Sequence, residues 1–147
     1  MAKLLYQLND GDVLGTTQWF NIDQQRINDF ADATGDKQWI HIDVERCEKS
    51  SPFGSTIAHG LLSTSLMPDM FYQLIQLDSD QQTLLNYGMD SIRFLEPVRV
   101  NDSIRYHVTL DSKQQKNSGL LFRFNCEVEI KNRDKPAMVG QFLMLLV

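Results

Sequence analysis

The sequence predicts an α+β fold in which an antiparallel sheet covers a central helix, and three observations lead there. Helix signals crowd the first half of the chain. A stretch from His59 to Leu77 is apolar on most sides of a helical axis, which is the pattern of a helix buried on most sides. The second half alternates apolar and polar residues with the period of half-buried strands. Helices, then one buried helix, then a run of strands is the segregated order of α+β architectures.

The elements follow in chain order. Asp23 is placed to cap a helix whose stripe is Ile27, Phe30, Ala31 and Thr34, with Ile22 and Ile27 set for a hydrophobic staple across the cap. Gly35 follows the stripe and suits a left-handed C-terminal position. Asp43 can cap a second, short helix from Val44 to Lys49, and Ser50 to Thr56 reads as a loop. The buried helix then runs from about His59 to Leu77, with Pro68 expected to kink it or start a new segment. A strand is expected near Asn86 to Phe94, interrupted by Glu96-Pro97. Ile104, Tyr106, Val108 and Leu110 alternate, as do Phe122, Phe124, Cys126, Val128 and Ile130. Lys113 to Gly119 and Lys131 to Pro136 are turn-like, so the last three strands should form an antiparallel meander. The apolar strand Phe142 to Val147 belongs to the core. A sheet wrapped round one helix leaves an edge incompletely covered, and a homodimer is a natural remedy.

Composition narrows the function. The 147 residues, 42% hydrophobic and 22% charged, fit one domain over the whole chain, long enough to fold without staples. A net charge of −5 argues against nucleic acid and anionic membrane as partners. Cys47 and Cys126 lie far apart with no metal-ligand spacing, so a reduced, cytoplasmic setting and no metal site are expected. The first ten residues have too short an apolar run for a signal peptide. Phe142 to Val147 is far too short to span a membrane.

Chemistry concentrates in Phe30 to Asp43. Asp36 and His41 are five residues apart, and on one continuous helix they would face well away from each other. Gly35 breaks the helix, which leaves the pair on a turn where side chains can converge. A carboxylate beside an imidazole can bind a water and shuttle its protons, and the carboxylate should raise the imidazole pKa. On spacing alone, a hydrogen-bonded loop in which Asp and His satisfy each other is the commoner arrangement. Gly60, in the first turn of the buried helix, leaves room for a ligand to approach the backbone. The free amides there suit a developing negative charge on a carbonyl oxygen. Tight helix packing would select the same glycine equally well.

The two segments together carry a resemblance. GDKQWIH (residues 35–41) followed by PFGSTIAHG (residues 52–60) resembles the MaoC-like dehydratase family, which includes the (R)-specific enoyl-CoA hydratases, and most closely its NodN-like branch. Leu85 to Ile104 resembles that branch's strand leading into a Pro-Val turn. The likeness implies a hot-dog fold, a homodimer or an assembly of such dimers, and an acyl-CoA thioester held in a tunnel. It implies no cofactor beyond the coenzyme A of the substrate. The family's catalytic Asp and His match Asp36 and His41, and its amide donor to the thioester carbonyl matches Gly60. Many members carry Asn-Pro where this chain has Gln38-Trp39, so Gln38 is a substrate-side candidate without an assigned role. The implied reaction is (R)-specific interconversion of trans-2-enoyl-CoA and (R)-3-hydroxyacyl-CoA. A hot-dog thioesterase and a non-catalytic acyl-thioester-binding protein are the alternatives.

Other residues are weighed beside these. His59 reads as a packed or capping histidine at the helix start. Ser63, with Thr64 and Ser65, could donate to the ligand or the reacting pair, or could bond back to its own helix. His107 is expected to face outward from its strand. Lys131, Arg133 and Lys135 in one turn, with Arg93 and Arg99, are the cations available for coenzyme A phosphates, although a solvated hairpin explains the Lys131 turn as well.

Overall fold

The computed structural model describes residues 2–78 and 80–147. Among the described residues, eight strands and five α-helices follow one another as β1 (Lys3–Leu4), β2 (Val13–Thr16), β3 (Phe20–Asn21), α1 (Gln24–Thr34), α2 (Trp39–Ile42), α3 (Val44–Ser50), α4 (Gly60–Ser65), α5 (Met67–Phe71), β4 (Ile75–Gln76), β5 (Leu84–Phe94), β6 (Ser103–Lys116), β7 (Gly119–Ile130) and β8 (Met138–Leu146).

The main sheet is antiparallel in the order β2-β6-β7-β8-β5, with β3 also paired to β6. The expected meander is present as β6-β7-β8. The alternating residues all point to one face: Ile104, Tyr106, Val108 and Leu110 from β6, and Phe122, Phe124, Cys126, Val128 and Ile130 from β7, are all buried. α4 and α5 lie against that face. The Phe71 ring meets Phe124 at 4.9 Å and Phe142 at 5.7 Å, and the Tyr106 hydroxyl donates to the Ser63 carbonyl. Each such buried aromatic contributes roughly 1.5–3 kcal/mol by leaving water, so this seam anchors helix to sheet.

The local signals of the first helix behave as the sequence predicts. Asp23 accepts from the Arg26 amide at 2.9 Å, Ile22 and Ile27 are both fully buried, and Gly35 sits at φ 82° with its amide bonded to the Ala31 carbonyl. Asp43 caps α3 through the Arg46 amide. β5 ends at Phe94, ahead of Glu96-Pro97.

Three expectations need correction. The central helix does not reach Leu77. It is a helical run from Gly60 to Phe71 in two pieces that meet at Leu66, followed by a turn and the short strand β4. Pro68 has no amide to offer the Thr64 carbonyl, which weakens the ladder there, and Ile75–Gln76 pairs instead with Lys3–Leu4 in a parallel bridge. The segment 113–119 is mostly strand: β6 continues to Lys116 and only Asn117–Ser118 turn. The helical run predicted to open at His59 begins at Gly60, because His59 is extended at ψ 137°.

Candidate functional site

The site is assembled where α1 ends, α2 turns and α4 begins. Gly35 stops α1, and Asp36 follows on the loop, its amide bonded to Thr34 Oγ1 and its carboxylate reached by the Gln38 amide at 3.4 Å. One turn later His41 lies on α2 and is 6% exposed. The sequence reading missed α2 because one helical turn is too short to show a period.

Two braces hold this turn against the chain that leads into α4. Gln24, at the start of α1, donates to the His41 carbonyl at 2.8 Å, and its amide oxygen accepts from the buried Thr56 hydroxyl. The Ile57 amide donates to the Ile40 carbonyl, and the Ala58 amide to the Val98 carbonyl. Residues 56–58 therefore run extended and deliver His59 and Gly60 beside His41. Neither brace has a local sequence signature, since its partners are distant along the chain.

One ring or carboxylate atom from each of Asp36, His41 and His59 lies within 4.8 Å of the others. His41 Nδ1 is 2.7 Å from the Ile57 carbonyl. A carbonyl can only accept, so Nδ1 carries the proton and Nε2 keeps its lone pair. His59 Nε2 donates to the Asp36 backbone carbonyl at 2.9 Å, and the two imidazoles stack at 3.8 Å with 21° between planes.

The expected direction of the His41 pKa is reversed. Burial is the largest influence and lowers it; the Ile57 carbonyl raises it, His59 lowers it, and Asp36 raises it least. Desolvation outweighs the carboxylate because Asp36 is exposed while His41 is buried.

A cavity of about 280 Å³ adjoins the cluster and is lined by Phe53, His59, Gly60, Ser63, Phe94 and Met138, among others. Asp36 and His41 do not line it; His59 is the residue common to cavity and cluster. Gly60 faces the Phe94 ring so closely that an added Cβ would sit 2.8 Å from it. Ser63 is buried on the cavity wall. Thr64 and Ser65 bond back to the Gly60 and Leu61 carbonyls, as helical hydroxyls do. Gln38 is exposed at the start of α2, and its side chain makes no capping bond. His59 is packed and stands at the N-cap position of α4, but its side chain makes no capping bond.

The cations divide. Arg99 donates to the Phe53 carbonyl at 3.1 Å and faces Glu96; Arg133 donates to the Pro97 carbonyl and pairs with Asp102 at 3.2 Å. Both therefore bond to backbone carbonyls of residues that line the cavity. Lys131 instead lies over the Trp19 ring, and Arg93 bonds the Ile92 carbonyl. His107 does face outward, held between Thr16 Oγ1 at 2.8 Å and Glu129 at 2.6 Å. Arg105 shares the Glu129 carboxylate and, with His107, holds its pKa below the ordinary range. Both cysteines are buried and free. Among the described residues, no helix is long and apolar enough to cross a membrane.

Comparison with known proteins gives a consistent result. The chain is 40% identical to nodulation protein N of Rhizobium meliloti over 92% of its own length and 84% of the relative. It is 36% identical to the 3-hydroxyacyl-thioester dehydratase Z of Mycobacterium tuberculosis, covering 93% of this chain and 90% of that one. The fold superposes on an unliganded R-hydratase from Pseudomonas aeruginosa with a TM-score of 0.76 at 22% identity, over 95% of this chain and 83% of the other. The family model described as the MaoC like domain matches residues 7–126. This chain belongs to the MaoC-like dehydratase family, in its NodN-like group, with the family's hot-dog fold.

Proposed function

We propose that the protein is a hydro-lyase that adds water to trans-2-enoyl-CoA to give (R)-3-hydroxyacyl-CoA, and catalyses the reverse dehydration. The observation that carries the reading is the convergence of an ionisable carboxylate and a neutral imidazole within 4.8 Å, beside a largely apolar cavity that reaches Gly60. The dehydratase named among its relatives supports the same class of reaction.

In this reading one water sits between the Asp36 carboxylate and His41 Nε2. The thioester carbonyl makes the β-carbon electrophilic. The water oxygen bonds to that carbon, its proton passes to the pair, and the pair returns a proton to the α-carbon. Nothing is oxidised or reduced. Asp36 serves as the main base, and His41 orients the water and moves the proton. The Gly60 amide, at the start of α4, donates to the thioester oxygen as it gains charge. Ser63 and Gln38 belong to the substrate side, Ser63 on the cavity wall and Gln38 at its outer approach. No metal or further cofactor takes part.

The working form is a homodimer. β5 is an eleven-residue edge strand, and Leu85, Tyr87 and Met89 on it are exposed. A long apolar edge is a pairing hazard unless covered, and a second copy covers it symmetrically. Two free buried cysteines fit a cytoplasmic location.

The test is an absorbance assay with trans-2-enoyl-CoAs of increasing chain length, run beside a free-thiol assay and followed by chiral analysis of the product. Loss of enoyl absorbance with an (R)-hydroxyl product supports hydration. Thiol release without hydration makes the protein a thioesterase, and tight binding with neither makes it a non-catalytic acyl-thioester binder.

A further inference from the structure

His59 takes no part in the addition of water as drawn above, yet it is held on several sides. It is 3% exposed. Its Nε2–H reaches the Asp36 carbonyl, one ring face lies on His41, and the Phe30 ring of α1 contacts it at 4.8 Å. With the proton fixed on Nε2, Nδ1 is a bare acceptor, buried and without a hydrogen-bond partner. An unsatisfied buried acceptor is destabilising, so its retention calls for an explanation beyond packing. Phenylalanine would stack as well without an orphaned nitrogen, and glutamine would hold the Asp36 backbone without a ring.

We infer that His59 is a positioning residue for the hydration proposed above: one hydrogen bond ties it to the Asp36 backbone, one stacked face ties it to His41, and the two reacting groups are thereby held in a single register. The inference rests on the hydratase reading for its chemistry. It explains why the residue shared by cavity and cluster is an imidazole. The titratable groups facing His41 are Asp36 from the preceding loop and His59 from the start of α4. Cys47 of α3, whose Sγ is 3.5 Å from the Trp39 and Ile40 carbonyls behind it, is kept a neutral thiol by burial.

The experiment compares His59→Phe and His59→Gln with the unaltered protein, measuring kcat, KM and the acid limb of the pH profile. His59→Phe keeps the stack and loses the bond to Asp36; kcat should fall about tenfold to a hundredfold, the order expected for a small misplacement of reacting groups, with KM nearly unchanged. His59→Gln restores a donor for the Asp36 carbonyl but not the stack on His41, so it should recover only part of kcat. In both, the acid limb should move to higher pH, because His41 has lost its like-charge neighbour. Folded variants with unaltered kcat and an unmoved acid limb would overturn the inference. Nitrogen-15 NMR of the imidazoles in the unaltered protein is the second reading, independent of turnover and of whether the variants fold. His59 should be the Nε2–H tautomer and His41 the Nδ1–H tautomer, and the His59 resonances should respond as His41 titrates. The opposite tautomer at His59, or His59 resonances that do not respond to His41, would overturn the inference even if hydration is observed. Failure of the unaltered protein to hydrate any enoyl thioester would remove the hydratase reading, and the NMR result would still decide whether His59 couples the pair.

Discussion

Replacing Gly60 by alanine separates the fold's demands from the ligand's. A Cβ at Gly60 would stand 2.8–2.9 Å from three carbons of the Phe94 ring, whereas carbon atoms settle at about 3.5–4.0 Å. The ring must therefore retreat by about 1 Å. Phe94 is 49% exposed, so it can swing toward solvent, and the burial it forfeits is a fraction of a fully buried Phe, on the order of 1 kcal/mol. Alanine in a helix regains about 0.5–1 kcal/mol over glycine. The two nearly cancel, and the melting temperature should move by only a few degrees. Activity should not be spared, because in the hydration proposed above the thioester oxygen approaches the Gly60 amide, and the added methyl group and the displaced Phe94 ring both stand on the cavity wall beside it. A displacement on this scale costs about a hundredfold, read as kcat/KM in the enoyl absorbance assay. The double variant with Phe94→Ala relieves the contact without returning the lost burial, and should not restore activity, since the methyl group remains beside the amide. Gly60→Ala with near-native kcat/KM would refute the placement of the ligand at this amide.

Other outcomes follow from the same geometry. Asp36→Asn and His41→Ala should each lower kcat about 10²–10⁴-fold. Asp36 is exposed, so its variant should melt like the parent, whereas His41→Ala leaves the Ile57 carbonyl without its imidazole donor and should lose roughly 1–3 kcal/mol in a denaturant titration. Burial lowers the His41 pKa, so its contribution to stability is fully present above the unfolded-state value of about 6.5 and is lost as pH falls from there toward the folded value. Glu129, lowered by Arg105 and His107, adds a second loss below the ordinary glutamate value. Unfolding free energy measured against pH should therefore fall in two stages on acidification, and His107→Ala should weaken only the lower one. Tyr87→Glu with Met89→Glu on the exposed edge should convert a dimer to a monomer by light scattering, and an unchanged mass would remove β5 as the interface.

Particular residues show what was legible in the sequence. α1 was readable because its instructions are local: the Asp23 cap, the stripe and Gly35 lie within thirteen residues. β6 and β7 were readable because one face is buried, so their sequence alternates. The tip of the β6–β7 hairpin was misread because Lys113, Gln114, Gln115 and Lys116 project beyond the helix, where neither face is dry and no alternation is written. β4 was misread as helix because Ile75 is buried either way, and its pairing with Lys3 is a contact across seventy residues. Asp36, His41 and Gly60 stand out as candidates from the residues themselves and take their roles from the motif resemblance, and the structure brings the first two together. The stack of His59 on His41, and the Gln24 and Thr56 brace behind it, were out of reach for a physical reason: their partners meet only after residues 56–58 fold back along 98–100.

The central claim is that Asp36 and His41 deliver one water to a β-carbon. The most direct measurement is the fate of oxygen when the protein turns over trans-2-enoyl-CoA in oxygen-18 water, followed by mass spectrometry of the product. The account predicts one label in the 3-hydroxyl group, with incorporation reduced at least about a hundredfold in Asp36→Asn and in His41→Ala. Label in the carboxylate of a released acid, or equal labelling by the variants, would contradict it.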